Sequence, residues 1–160
     1  MPQKRRRIRL TFVATGESVI AELLDDEAPA TCELVWNMLP LEHDLYHGRF
    51  SGSEVFVLLD DAPEVPPEQR CHMPLPGEIL YWRDEGTAVT SGGRPVAEIV
   101  MAFGRAVRLG GPEGMPSYGN LFARVPGDWK YDWTEFAEAC RRVRTGGLTP
   151  LRVERLEDGE

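Results

Sequence analysis

Apolar residues recur at every second position in short runs along this chain, a period that suits strands with one buried face. In "RIRLTFV" Ile8, Leu10 and Phe12 point one way, while Arg7, Arg9 and Thr11 point the other. The turn "ATGE" leads into "SVIAELL", and the two runs read as a hairpin. Further strands are expected in "DLYHGRF", "EVFVLL", "PGEILYW", "AEIVMAF", "LFARV" and "LRVERL". The nearly unbroken apolar character of "AEIVMAF" predicts burial on both faces.

Two segments carry a helical period instead. Pro29 suits a first turn, Asp25, Asp26 and Glu27 lie at the favourable end of the helix dipole, and Cys32, Val35, Trp36 and Leu39 form a stripe that Pro40 ends. That stripe places Trp36 in the core. In the second, Asp132 and Glu135 have capping-box spacing, Trp133, Phe136, Ala137, Cys140 and Val143 make the buried face, and Gly146-Gly147 stops the helix. Seven or eight strands, two helices and no βαβ alternation predict a mainly β chain: one domain, 1–160, built as a closed or nearly closed antiparallel barrel capped by the helices.

Composition narrows the partners. A net charge of −8 argues against nucleic acid, and the basic run Lys4–Arg7 reads as a solvated strand edge. No apolar run is long enough to span a bilayer, and the residues after "MPQKRRRIRL" alternate rather than form a signal-peptide core, so a cytoplasmic protein is expected. Cys32, Cys71 and Cys140 form no CxxC pair and read as inert thiols. "GGPEG" and "SGGRP" lack the strand–loop–helix context of a phosphate cradle, so no cofactor is expected. His43 and His47 would sit about 13 Å apart along a strand, too far to ligate one ion, and no metal is expected.

Chemistry concentrates in "LYHGRFSGSEVFVLL". Alternation sets His43, Leu45, His47 and Arg49 on one face and Tyr46, Gly48 and Phe50 on the other. If the second set faces the core, His47 and Arg49 line the same outer or cavity-facing surface, and Glu54, beyond the Ser51-Gly52-Ser53 turn, could pair with Arg49. The bland reading is an exposed ion pair; the sharper one is a polar site in which Arg49 forks onto a carboxylate or amide. In "SYGNLFA", Tyr118, Asn120 and Phe122 alternate and could present two rings and an amide to one cavity. The alternative is that Asn120 satisfies its own turn and Phe122 is core. The Asp60–Pro76 connection, with five prolines, has the length of loops that border functional surfaces.

The element order resembles that of cyclophilins. More closely, "AELLDDEAPATCELVWNMLP", "HGRFSGSEVFV", "PGEIL" and "GNLFA" resemble a family of small uncharacterised bacterial proteins, filed as a domain of unknown function, with a cyclophilin-like barrel. Arg49-Phe50 stands where cyclophilins carry a catalytic arginine, but the Gln-Gly-Gly-Asp run expected next is absent. The leading expectation is a binding module for a small polar or peptide-like ligand, using Arg49, His47, Glu54, Tyr118, Asn120 and Phe122. The alternatives are an enzyme at the same cleft, such as a weak peptidyl-prolyl isomerase with unknown catalytic residues, and a homo-oligomer built through hairpin edges.

Overall fold

A computed structural model describes residues 3–86, 92–110 and 114–160. Strands β1 (Arg7–Phe12) and β2 (Ser18–Leu23) precede helix α1 (Pro29–Met38). Then come β3 (Leu41–His47), β4 (Glu54–Leu58), β5 (Arg70–Cys71), β6 (Glu78–Asp84), β7 (Val96–Ala102) and β8 (Gly119–Arg124). Helix α2 (Thr134–Gly146) and β9 (Thr149–Leu156) complete the order.

The strands run β2-β1-β9-β3-β4-β7-β6-β8, and β8 returns to β2 through Leu23 and Ala123. Eight antiparallel strands therefore close a barrel, and β5 is an extra strand on β8. Closure removes the unpaired edges an open sheet would leave. Ile8, Leu10, Phe12, Leu45, Val55, Val57, Ile79, Ile99, Phe122 and Val153 fill the interior, every second residue along their strands. Each such large side chain contributes about 1.5–3 kcal/mol on burial. Phe136 of α2 meets Phe12 edge-on at 5.1 Å, while α1 buries Thr31, Cys32 and Val35.

A second apolar layer lies outside the barrel. Leu80, Val100 and Ala102 are covered by Val107 and Leu109, which belong to the segment 104–109 after β7. This strap explains "AEIVMAF": Ala97, Ile99 and Met101 point inward, and Val100 and Ala102 meet the strap.

Several local expectations are corrected. Strand β3 starts at Leu41 and ends at His47, so Arg49 lies in the turn. Trp36 is partly buried against the core, and its ring also carries the guanidiniums of Arg6 and Arg155, each 5.0 Å from its centre. The capping box does not form; Trp133 occupies the cap position, and Asp132 instead accepts from the Asp128 amide at 2.6 Å. The basic run is no strand edge, because β1 pairs on both sides; Arg5 and Arg6 bind Glu27 and Asp25. The glycine- and threonine-rich turn before Arg94 and the segment "GGPEG" lie partly outside the described residues. Burial pushes the Cys32 thiol up to about 12 and raises Cys71 and Cys140 as well, in keeping with unreactive thiols.

Candidate functional site

The six residues singled out in the sequence do not share one surface. Register pairs Leu45 with Val57, Tyr46 with Phe56 and His47 with Val55. Leu45, Val55 and Val57 are interior, so the face of β3 that carries His47, and not the one that carries Tyr46, turns inward. His47 sits at the interior end against Phe103, 5.4 Å between rings, and burial lowers its pKa. Tyr46 lies outside, stacked on Phe56. Glu54 alternates with Val55 and so takes the outer face, opposite His47. Arg49 is exposed and makes no ion pair among the described residues, with Glu54 or any other acid. Tyr118 is on the surface, tilted against His72, while Phe122 is fully buried in the barrel. Two strands, β7 and β6, separate β4 from β8 in the sheet.

Asn120 has a different task. It is 2% exposed, and Nδ2 donates to Thr31 Oγ1 at 3.0 Å and to the Pro66 carbonyl at 2.9 Å, while Oδ1 accepts from Arg70 at 3.4 Å. Thr31 passes the network on: its hydroxyl and amide donate to Glu68 Oε1, both at 2.7 Å, and the Ala30 amide donates to Oε2 at 3.1 Å. A glutamate from the loop after β4 thus caps α1, where Ala28 supplies no side-chain cap. Asn120 spends its amide on internal structure, leaving that face of β8 closed.

The same loop shapes a cleft of about 350 Å³ where β3 enters the barrel. Leu34 and Met38 from α1, Leu41 from β3, and Leu59 and Pro63 from the loop supply apolar walls. Asn37, His43, Asp60 and Asp61 add polar groups. His43 Nε2 stands 3.6 Å from Asp60 Oδ2, with the histidine side chain 27% exposed and the carboxylate almost fully solvated. Strand β6 pins the far wall: Tyr81 donates to the Pro63 carbonyl at 2.5 Å, and Arg83 Nε to the Ala62 carbonyl at 2.6 Å. Leu59 is held by its amide to the Ala97 carbonyl at 3.0 Å. These anchors preform the wall, a property of small-molecule sites.

Sequence reasoning considered His43 only as a metal ligand and missed this cleft. Leu34 and Met38 lie beside the expected helical stripe, and a signal existed in the proline-rich loop, expected to border a functional surface. Among the described residues no cluster of three or more His, Cys, Asp or Glu could hold a metal ion. No helix among them is long and apolar enough to cross a membrane.

Residues 10–154 match the sequence profile of a family described as "Protein of unknown function (DUF3830)". The chain belongs to that family. No curated protein matches it in sequence. Solved structures that resemble this DUF3830 chain in shape include the following two. McbB, solved in complex with tryptophan, has a TM-score of 0.65 and 19% identity over 96% of this chain and 45% of its own, so the chain spans less than half of McbB. The hypothetical protein AF2241 from Archaeoglobus fulgidus has a TM-score of 0.56 and 18% identity over 98% of this chain and 100% of its own. At such identities the likeness is one of fold. Neither of the two is named as a cyclophilin, so that part of the resemblance rests on the sequence motifs alone.

Proposed function

We propose that this chain binds a small organic ligand with an apolar body and a basic head in the cleft between α1, β3 and residues 59–63. The observation that carries the reading is the His43–Asp60 pair at an apolar cavity of about 350 Å³. That volume lies within the range of roughly 300–1,000 Å³ usual for small-molecule sites. Leu34, Met38, Leu41 and Leu59 offer the body a dry surface, and Asp60 and Asp61 favour a positive head. Tryptophan, the ligand named for McbB, joins an aromatic body to an ammonium group and supports this ligand class.

Binding is favoured over catalysis at this cleft. A histidine beside a carboxylate is the arrangement of a general base and its orienting group. Among the described residues, however, no serine or cysteine lines the cleft beside His43.

Calorimetric titration with tryptamine, tryptophan and indole-3-propionate tests the reading. Tryptamine is expected to bind about tenfold tighter than the propionate, a difference of roughly 1.4 kcal/mol from charge at the rim. Met38→Trp should fill the cleft and abolish binding, and Asp60→Asn should narrow the preference. Failure of all three indoles to bind, or equal binding by Met38→Trp, would overturn it.

A further inference from the structure

The motif "SGSE" is left unused by the cleft, and its glutamate is the least expected residue in the structure. Glu54 is 6% exposed, on the outer face at the head of β4. The Ser51 hydroxyl donates to Oε1, but Oε2 is buried and has no hydrogen-bond partner among the described residues. A buried carboxylate oxygen without a donor is expensive, whereas the protonated acid is far less so.

The carboxyl lies against Gly48 and Ser51 of the turn, and the strap is fastened to that same turn. The Phe103 amide donates to the Ser53 carbonyl and the Arg108 amide to the Ser51 carbonyl, each at 2.9 Å, so the strap is clasped to the 51–53 turn at both ends. The fit is close. A Cβ on Gly52 would collide with the Ala106 carbonyl oxygen, one on Gly48 would collide with the Glu54 carboxyl, and Ala106 itself holds a left-handed φ of +64°. Backbone strain of that kind persists only where its surroundings enforce it.

We propose that Glu54 is a proton-controlled latch: protonated, it lets the strap close on the turn, and ionised, it loosens the clasp at Phe103 and Arg108. The charged groups around it are Glu98 on β7, Arg49 in the turn, and Arg105 and Arg108 on the strap. The three arginines are exposed and make no ion pairs among the described residues. None of them acts on Glu54, whose proton affinity is raised by burial against the lowering effect of Ser51. Glu98 senses the Glu54 charge and is the one neighbour that could imitate it. The sign follows from linkage. The closed form binds the proton more tightly than the open form, so closure is fully favoured below the ordinary carboxylate pKa. It weakens as pH rises toward the raised value, and is constant above it.

Amide hydrogen exchange between pH 5 and 8, expressed as protection factors, tests the latch on the full chain. Protection at Phe103 and Arg108 is expected to fall about tenfold across this range. Protection at Leu10 should stay level. Glu54→Gln should remove the fall, and Glu98→Gln should keep it. Constant protection in the wild type, or the same fall in Glu54→Gln, overturns the proposal. Carbon-13 titration of the wild-type Glu54 carboxyl provides a second readout that needs no variant. Titration at the ordinary carboxylate value would also overturn it.

Discussion

Asn120 Nδ2 donates to Thr31 Oγ1 across 3.0 Å, and so ties strand β8 to the first turn of α1. The same nitrogen holds Pro66, in the loop that walls the cleft. One buried amide therefore joins barrel, helix and loop. Asn120→Ala leaves the Pro66 carbonyl without that donor and is expected to cost about 2–3 kcal/mol. In a thermal melt this lowers Tm by roughly 5–10 °C for a chain of this size. An unchanged melt would show the amide to be idle.

Glu68 is the remote cap of α1. Burial opposes its ionisation, but the Thr31 hydroxyl and the Thr31 and Ala30 amides outweigh this and hold the carboxyl below its usual value. Its stabilisation is thus present above the ordinary carboxylate pKa and lost as pH falls through the lower, folded value. Glu68→Gln should cost about 1 kcal/mol at pH 7, as loss of a cap does, and less at pH 3. Denaturant midpoints at the two pH values measure the difference.

Glu98 behaves in the opposite sense. Burial, and to a smaller degree the charge of Glu54, pushes its pKa up to about 8. The stability it permits is complete below the ordinary carboxylate value and is lost as pH rises to about 8. Glu98→Gln should flatten that decline and stabilise the protein at pH 8.5 by about 1–2 kcal/mol, solvent contact reducing the full effect. A decline of equal slope in wild type and variant would contradict this.

Gly52 has a φ of +89° and no room for a Cβ; Gly16 has a φ of +90° with nothing within 4 Å. Both lose backbone freedom on substitution, but only Gly52 also meets a carbonyl oxygen. Gly16→Ala should cost about 1 kcal/mol and Gly52→Ala at least about 2 kcal/mol more. Urea denaturation of the pair isolates the collision, and equal costs would refute it.

Much of the fold was legible because alternation is a local property. Ile8, Leu10 and Phe12 face inward as their spacing requires, and the nearly continuous "AEIVMAF" is buried on both sides. The faces of β3 were not. Read from Asp44 to Phe50, the run sets Tyr46 and Phe50 against Leu45, His47 and Arg49, whereas the strand starts at Leu41, stops at His47 and takes its inward side from pairing with β4 and β9. The capping box at Asp132 failed because the carboxylate had a nearer donor in Asp128. The cleft eluded sequence reasoning since its walls come from three segments that only meet when the barrel closes.

By itself the order of residues determined the strands, the two helices, the positions of Pro29, Pro40 and Gly147, and the mainly β architecture. Those follow from side-chain period and backbone preference, which act over a few residues. Tertiary structure decided that Asn120 braces rather than binds, that Glu54 and His47 lie on opposite faces, and that His43 meets Asp60 at a cavity. Burial and partnership set the chemistry of a polar side chain, and both are supplied by segments distant in the chain.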